Sequence, residues 1–359
     1  MSDQISTIAP VIRDTFACLP SALAGAGVQP NRVMLVGDSN TMPLYGEETE
    51  RILKEYFREV HTYVFPAGEE EKQLRTIVPL LKNMMGLHFD RGDVIAALGG
   101  GVTGDMAGFA ASVYLRGIPV IQLPTTLLAQ IDSSIGGKTG VDLDGFKNMV
   151  GAFHMPSLVY TNPSVLATLP EEQFTAGMGE VIKSALLSDG LFFDWLIGHA
   201  EAILLRNPAV LLEMIERTAR IKVDIVRRDP TEQGERALLN LGHTVGHAIE
   251  KAEQFRMLHG HCVAVGLIAA AWLSRQRGLI GSADYERIRS ACALFGLPVQ
   301  VSGLDADELL AITKSDKKMR SGKIRFILLR SVGEAFYADD VSDDELLGAI
   351  RSVIGKEAD

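Results

Sequence analysis

The C-terminal half of the chain is organised around residues Arg236 to His261, which read RALLNLGHTVGHAIEKAEQFRMLHGH. This stretch contains four of the eight histidines, and two of them, His243 and His247, are four positions apart. Residues with that spacing share one face of a helix, and imidazole is a common ligand of zinc-like cations. Thr244 stands where an HExxH motif has its general-base glutamate, so a zincin is not indicated. The residues alone leave open whether the histidines are packed or bind a metal.

Composition limits the class of protein. The chain has 359 residues, 47% of them hydrophobic, and a formal net charge of −10. The length allows two domains, and the charge argues against non-specific nucleic-acid binding. Three scattered cysteines are typical of the reducing cytoplasm. The N-terminus has no signal-peptide pattern, and the longest apolar run, Val263 to Leu273, is shorter than the roughly 20 residues that span a bilayer. We therefore expect a cytoplasmic protein without membrane or nucleic-acid partners.

Short apolar segments alternate with helical spacing in the first half of the chain. Such alternation predicts a mostly parallel sheet with helices on its faces. From about Glu171 the pattern is helical almost throughout, apart from one late strand candidate at 323–329. We therefore predict a Rossmann-like α/β nucleotide-binding domain over residues 1–170 and an all-α metal- and substrate-binding domain over residues 171–359. The early strand candidates begin at Arg32, His61, Asp93 and Pro119.

The ends of these strands are candidate ligand sites, because open parallel sheets bind ligands outside the carboxyl ends of their strands. The segment Gly99-Gly-Gly-Val-Thr-Gly-Asp105 follows one strand and opens a helix, so its glycines and the helix N-terminus suit a pyrophosphate. Its spacing is not the strict GxGxxG, and a simple tight turn is the alternative. Asp38, Asn40 and Glu69 lie at neighbouring strand ends, where they are candidates for ribose contacts.

Two further segments carry charge. Residues 132–148 form a predicted loop rich in lysine and glycine that suits an anion, although Asp132 breaks the P-loop frame. Glu180 and Lys183 are three apart in a predicted helix. They form either an ordinary ion pair or a metal-binding carboxylate beside an anion-binding lysine, and spacing does not choose between these readings.

Taken together, these motifs resemble the 3-dehydroquinate synthases, a family of sugar-phosphate cyclases. The resemblance extends over nearly the whole chain and depends on many blocks in the same order. The matching blocks are Asp38-Ser-Asn40, Gly68-Glu-Glu-Glu-Lys72, Gly99 to Asp105, Tyr114-Leu-Arg-Gly117, Leu123-Pro-Thr-Thr126, Asp132 to Lys138, Lys147-Asn148, Gly179-Glu-Val-Ile-Lys183, Asn240 to Glu250, Leu258-His-Gly260 and Asp316-Lys-Lys318.

The resemblance implies a lyase that uses NAD and a divalent cation, zinc or cobalt. Its substrate would be a sugar-acid phosphate, 3-deoxy-D-arabino-heptulosonate 7-phosphate, and its products 3-dehydroquinate and phosphate, in the shikimate pathway of aromatic amino acid biosynthesis. NAD would transiently oxidise a ring hydroxyl, so that phosphate leaves by β-elimination. Return of the hydride, ring opening and an intramolecular aldol closure would follow. The expected assembly is a homodimer.

The resemblance also implies roles for individual residues. The metal ligands would be Glu180, His243 and His259, which leaves His247 for proton transfer and gives His261 no role. NAD would contact Asp38, Asn40, Glu69, Lys72, Gly101, Val102, Thr103, Gly104, Asp105, Thr125, Thr126, Lys138, Lys147 and Thr168. The substrate would contact Lys138, Asn148, Lys183, Lys222, Arg236, Asn240, His247, one of Lys317 and Lys318, and, from the neighbouring subunit, Arg116.

Other classes of protein are the alternatives. Metal-dependent alcohol and glycerol dehydrogenases share the architecture but need no phosphate lysines, so the density of Lys138, Lys183, Lys222 and Arg236 argues against them. Cyclases of sedoheptulose 7-phosphate act on a substrate without a carboxylate and tend to differ at Asn240 and at residues 316–318. A non-catalytic, metal-stabilised binding protein would leave the anion contacts unexplained.

Overall fold

The computed structural model describes residues 9–144, 146–315, 319–320, 323–324 and 326–355. The chain forms two compact units. The first comprises the residues up to Leu169 together with Leu211–Thr231, and the second comprises Pro170–Val210 and the residues from Glu232 onward. The segment 211–231, which lies within the predicted second domain, thus groups with the first unit. The reason is its apolar face, because Ala219, Val223 and Val226 are buried against Ile135.

The first unit is built on a six-stranded sheet in which every neighbouring pair is parallel, in the order β1 (Val11–Ile12), β8 (Leu158–Thr161), β5 (Val120–Pro124), β4 (Val94–Gly99), β2 (Arg32–Asp38) and β3 (Glu59–Phe65). This confirms the predicted parallel sheet. In chain order its elements are β1 (Val11–Ile12), α1 (Leu19–Gly25), β2 (Arg32–Asp38), α2 (Glu47–Leu53), β3 (Glu59–Phe65), α3 (Leu74–Gly86), β4 (Val94–Gly99), α4 (Gly101–Val113), β5 (Val120–Pro124), β6 (Lys138–Leu143), β7 (Phe146–Phe153) and β8 (Leu158–Thr161).

The central strands β2, β4, β5 and β8 are buried on both faces, which explains why they are continuous apolar runs, whereas the edge strand β3 is only partly buried. Successive side chains of a strand point to opposite faces. In β2, Val33 and Leu35 accordingly join one hydrophobic cluster with α1 and α2, whereas Met34 and Val36 join another with α3 and α4. Because β2, β3, β4 and β5 are parallel, their carboxyl ends lie along one edge of the sheet, and the polar segments follow at that edge.

The segment predicted as a loop at 132–148 is largely an antiparallel hairpin, so that prediction is wrong. Strand β6 pairs with β7, and Gly140 faces Gly151 across the pair. Glycine is depleted in strands, which is why the pattern suggested a loop. Here it serves close packing, because a Cβ on Gly151 would collide with the carbonyl oxygen of Thr139.

The second unit is mainly helical. Helix α10, which contains the apolar run 263–273, is buried along most of its length, as the sequence predicts. The elements are α5 (Glu171–Ser188), α6 (Gly190–Gly198), α7 (Ala200–Leu204), α8 (Pro208–Arg228), which enters the first unit, α9 (His243–Ala252), α10 (His259–Gln276), α11 (Ser282–Leu294), α12 (Ala306–Ser315), β9 (Met319–Arg320), β10 (Lys323–Ile324), β11 (Phe326–Ser331), β12 (Glu334–Ala338) and α13 (Asp343–Arg351).

The predicted fold class, an α/β part with a parallel sheet followed by a helical part, is confirmed. The description of the second part as all-α is too strict, because β11 and β12 form an antiparallel hairpin. Asp316, Lys317 and Lys318 lie outside the described residues. Within the described part of the chain, no helix has both the length and the apolar character needed to cross a bilayer.

Candidate metal and cofactor sites

Three helices of the second unit touch backbone to backbone at glycines. A Cβ on Gly260 of α10 would overlap the carbonyl oxygen of Ala176 in α5, and a Cβ on Gly179 would overlap the carbonyl oxygen of Gly260. In the same way, Gly266 of α10 faces the carbonyl oxygen of Gly242, which precedes α9. The residues beside these glycines on the three helices are thus brought close to one another.

Helix α9 begins at a histidine because of the residue before it. Gly242 has φ +80°, a left-handed conformation that glycine adopts without strain, and the helix starts at His243. His247 and Glu250 follow at four and seven positions, so they share the face of His243. Helix α10 likewise begins at His259. Both predicted histidine ligands therefore stand at the start of a helix.

The predicted metal ligands converge on one carboxylate oxygen. Oε1 of Glu180 lies 3.3 Å from Nε2 of His259 and 3.5 Å from Nε2 of His243. Zinc bonds of about 2.0–2.1 Å in a tetrahedron put neighbouring ligand atoms about 3.3 Å apart. Both oxygens of Glu180 are buried, and neither accepts a hydrogen bond of normal geometry from the described residues. The donor types and their spacing thus fit a divalent cation.

Main-chain and side-chain acceptors orient the two imidazoles. Nδ1 of His243 lies 3.1 Å from the carbonyl oxygen of Leu241, and Nδ1 of His259 lies 3.3 Å from Oε2 of Glu250. Since a carbonyl or carboxylate only accepts, each Nδ1 carries the hydrogen and each Nε2 is left to face Glu180. The two rings are therefore oriented so that Nε2 is the atom that a cation beside Glu180 would bind.

His247 lies beside this group and offers a competing ligand set. Its ring centroid is 5.1 Å from that of His243 and 5.7 Å from that of His259. One ligand atom from each of the three histidines lies within 4.8 Å of the others. The geometry therefore offers two candidate ligand sets, His243 and His259 with Glu180 or the same two histidines with His247, and only the set with Glu180 includes a buried carboxylate.

The charges around Glu180 favour its ionised form. Lys183 is in ion-pair contact with Oε2, and both side chains are buried. Burial by itself raises the pKa of Glu180, but Lys183 and His259 outweigh it and hold this pKa at about 2. Burial also works against a charged His259, yet the carboxylates of Glu180 and Glu250 raise its pKa to about 9. Glu180 and Lys183 do form an ion pair. That ion pair keeps Glu180 ionised, so it is compatible with a metal-binding carboxylate beside an anion-binding lysine.

Most of the predicted cofactor residues follow the carboxyl ends of strands in the first unit, whereas Lys138 and Lys147 lie in the β6–β7 hairpin and Thr168 follows β8. Asp38, at the end of β2, accepts hydrogen bonds from the N–H groups of Asn40 and Thr41 at 2.9 and 2.8 Å. Its other oxygen accepts from the hydroxyl of Thr103 in α4 at 3.0 Å. Asp38 thereby fixes the start of α4 relative to the end of β2.

Lys72 is the centre of a second polar group at this edge. Its ammonium lies 2.7 Å from Oδ2 of Asp105 and donates to Oδ1 of Asn148 at 2.7 Å. Burial lowers the pKa of Lys72, but Asp105 and Glu69 more than offset it, and the net pKa lies above its usual value. Nearby, Lys147 is 3.1 Å from Glu69. Asn148, predicted as a substrate contact, thus lies among predicted cofactor residues.

The glycine-rich segment forms the start of a helix, as predicted. Helix α4 begins at Gly101, so Val102, Thr103 and Gly104 lie in its first turn, and no side chain among the described residues caps its N-terminus. An uncapped helix N-terminus of this kind suits a pyrophosphate. Among the predicted threonines, Thr125 donates its N–H to the carbonyl of Gly99, Thr126 accepts from the N–H of Ala129, and Thr168 shares a short hydrogen bond with Tyr45.

The predicted anion-binding residues differ in their surroundings. Lys222 is mostly buried and donates to the backbone oxygen and Oδ1 of Asp132 at 2.6 and 2.7 Å. Arg236 is buried in the second unit. Asn240 donates to Glu232 at 2.9 Å. Lys138, by contrast, is exposed at the start of β6.

Sequence reasoning missed three residues that support these groups. Glu250 lies within hydrogen-bond distance of His259, Asp132 accepts a hydrogen bond from Lys222, and Tyr45 shares a short hydrogen bond with Thr168. The position of Glu250, seven residues after His243, was an available signal because it places both residues on one helix face. No comparable local signal connects Asp132 with Lys222, which are distant in the sequence.

Comparison with known proteins gives one consistent family. A family model described as 3-dehydroquinate synthase N-terminal matches residues 62–176, and one described as 3-dehydroquinate synthase C-terminal matches residues 177–319. A protein named 3-dehydroquinate synthase from Acidithiobacillus ferrooxidans is 43% identical, covering 92% of this chain and 92% of its own. One of the same name from Symbiobacterium thermophilum is 44% identical, covering 90% of this chain and 91% of its own.

Solved structures give the same architecture. A 2-epi-5-epi-valiolone synthase from Streptomyces hygroscopicus, with NAD+ and Zn2+ bound, is 30% identical with a TM-score of 0.87, covering 97% of this chain and 96% of its own. A 2-deoxy-scyllo-inosose synthase complexed with carbaglucose-6-phosphate, NAD+ and Co2+ is 26% identical with a TM-score of 0.84, covering 97% and 98%. Glycerol dehydrogenase from Schizosaccharomyces pombe, at 16% identity and a TM-score of 0.67, shares the fold only, covering 97% and 89%.

Proposed function

Because the chain belongs to the 3-dehydroquinate synthase family, we propose that it converts 3-deoxy-D-arabino-heptulosonate 7-phosphate into 3-dehydroquinate and inorganic phosphate. It is then a carbon–oxygen lyase of the shikimate pathway, and it uses NAD and a divalent cation. The conversion has no net redox change, so NAD is regenerated within each turnover. The relatives of this name cover about nine-tenths of the chain, which supports the assignment for both units.

The observation that carries the mechanism is the convergence of two imidazole nitrogens on one buried carboxylate oxygen. We assign Glu180, His243 and His259 as the protein ligands of zinc or cobalt, a set that leaves a coordination position for substrate. Support comes from the N–O distances of 3.3 and 3.5 Å and from the orientation of both rings by acceptors at Nδ1. Lys183, buried against Glu180, adds a positive charge beside this position.

NAD binding is assigned to the strand ends of the first unit. The uncapped start of α4 suits the pyrophosphate, and the carboxylates of Asp38 and Glu69 suit ribose hydroxyls. When bound, NAD accepts and then returns a hydride, while the cation polarises the hydroxyl that is oxidised. The residues assigned to this site are Asp38, Asn40, Glu69, Lys72, Gly101, Val102, Thr103, Gly104, Asp105, Thr125, Thr126, Lys138, Lys147 and Thr168.

The remaining assigned residues bind an anionic substrate and move protons. Phosphate and carboxylate groups are bound by cationic side chains, and a guanidinium can donate two hydrogen bonds to one such group. The substrate-binding residues are Lys138, Asn148, Lys183, Lys222, Arg236 and Asn240. His247 is one helical turn from His243 and adjacent to the ligand cluster, so we assign it to proton transfer rather than to the metal. The phosphate group of the substrate is itself a base, which limits the number of protein acid–base groups needed.

We further propose that the protein is a cytoplasmic homodimer in which Arg116 serves the neighbouring subunit. Arg116 is exposed and has φ +70°, following Leu115 at φ +49°, and consecutive non-glycine residues in this region are costly and often functional. Mixing R116A with H243A tests the arrangement. Each variant is defective alone, but a mixed dimer contains one complete site, so activity returns on mixing. No recovery despite subunit exchange would contradict it.

Phosphate release with NAD at catalytic amount tests the function. The expected result is many turnovers per NAD with the heptulosonate phosphate and no accumulation of NADH. Sedoheptulose 7-phosphate is the matched control, because it carries the phosphate but lacks the carboxylate of the heptulosonate phosphate. Preference for that sugar would reassign the chain to another cyclase, and stoichiometric NADH formation would favour a dehydrogenase.

A further inference from the structure

Glu250 is a buried carboxylate that contacts a predicted metal ligand without being one. Only 4% of the residue is exposed, and its Oε2 lies 3.3 Å from Nδ1 of His259. Nε2 of the same ring lies 3.3 Å from Oε1 of Glu180. His259 therefore connects two carboxylates, one on the side assigned to the metal and one on the opposite side of the ring.

The two histidine ligands differ in what holds them. His243 donates from Nδ1 to the neutral carbonyl of Leu241, two residues earlier in the chain. His259 is held instead by a charged side chain on a different helix, since Glu250 belongs to α9 and His259 starts α10. A carboxylate that accepts a hydrogen bond from Nδ1 fixes the tautomer and orientation of the imidazole, and it makes Nε2 a stronger metal ligand.

We propose that Glu250 is the positioning residue of the metal site, acting through His259. Its charge and its hydrogen bond set the orientation and the basicity of that ligand. This inference depends on the proposed metal site and adds a carboxylate to it. An ordinary buried ion pair is the alternative, and it would contribute to folding without changing how tightly or in what geometry a cation binds.

Metal affinity and geometry distinguish the two descriptions. The variants are E250Q, which keeps the size of the side chain and removes its charge, and E250A, which removes the hydrogen bond as well. Glu253 is a matched control, because it lies just after α9 and is paired with Arg256 at 3.7 Å. Zinc dissociation constants are measured by chelator competition, and cobalt-substituted proteins are compared by visible absorption.

We expect zinc binding to weaken about 10-fold in E250Q and about 100-fold in E250A, with a changed cobalt spectrum in both and no change in E253Q. Wild-type affinity and spectrum in a folded E250Q would overturn the inference about Glu250 alone. Failure of the wild-type protein to bind zinc would instead overturn the proposed metal site and this inference with it.

Histidine-selective NMR of the zinc-loaded wild-type protein decides the question if the variants do not fold. A proton on Nδ1 of His259, with the metal on Nε2, supports the role of Glu250. Coordination through Nδ1 would overturn it, because Glu250 would then compete with the metal for the same atom.

Discussion

Replacing Gly260 by alanine should separate metal binding from overall folding. The added Cβ would lie 1.8 Å from the carbonyl oxygen of Ala176, whereas real Cβ atoms essentially never come closer than 3.0 Å to such an atom. The two helices must therefore separate by about 1.2 Å, since neither partner is a flexible side chain. Gly260 is adjacent to His259, and Ala176 lies one turn before Glu180, so the strain acts directly between two ligands.

The displacement is large compared with the tolerance of a metal site. A displacement of about 1.2 Å directed along the 3.3 Å separation of His259 and Glu180 would extend it to about 4.5 Å, beyond the roughly 4.1 Å that two zinc ligands reach even in line. We expect zinc affinity to fall by at least about 100-fold. The overpacking should also cost about 1–3 kcal/mol of stability, which lowers the thermal midpoint by several degrees.

Gly198→Ala is the matched control. Gly198 ends α6 in the same unit, and a Cβ there meets no atom of the described residues within 4 Å. Zinc titration with a competing chelator and thermal unfolding are measured on both variants. G198A should bind zinc as the wild type does. The reasoning fails if G260A retains wild-type zinc affinity, because the backbone contact would then not set the ligand spacing.

Three further predictions concern charges in the second unit. H243A should lose bound metal and turnover together, whereas H247A should keep its metal and lose rate; elemental analysis of both decides, and a metal-free H247A would contradict the division of roles. Zinc binding to chelator-treated protein should release a proton from His259 below about pH 9 and progressively less above it, because its raised pKa keeps the ring protonated there. An indicator dye in weak buffer measures this release, and a release that does not change with pH would contradict it. The bidentate contact from Arg277 holds the pKa of Glu345 at about 2, so this pair stabilises the fold above about pH 4.5, and the contribution is lost as the pH falls towards 2. The difference in urea midpoint between wild type and E345Q should therefore shrink over that range, and a constant difference would refute the assignment.

The sequence pattern is sufficient to predict the parallel sheet, because each of its strands is determined by a local pattern of residues. The strands of the first unit are apolar runs that end in polar or glycine-rich segments, and this pattern depends only on neighbours in the chain. The sequence pattern does not predict the hairpin at 138–153, because its glycines are required by contacts across the two strands and with α4 rather than by a turn. Gly140 and Gly151 face each other across the strands, and a Cβ on Gly108 in α4 would collide with Thr139.

The candidate metal cluster is only partly predictable from the residues themselves. The spacing of His243 and His247 placed both on one helix face but gave no reason to prefer either as a ligand. What brings His259 and Glu180 together is the contact between Gly260 and Ala176, which joins segments distant in the sequence. Without the resemblance to known synthases, the choice of Glu180 over His247 depends on interatomic distances that sequence spacing does not contain.

The start of two consecutive helices at His243 and His259 has a consequence for refolding. Antiparallel neighbours such as α9 and α10 form through local contacts, which are fast, whereas docking of α5 closes a much longer loop and is slower. We therefore expect both imidazoles to be in place before the carboxylate of Glu180 arrives. Zinc added at the start of refolding would then meet two of its three assigned ligands, so we expect the yield of refolded protein to depend on when zinc is added.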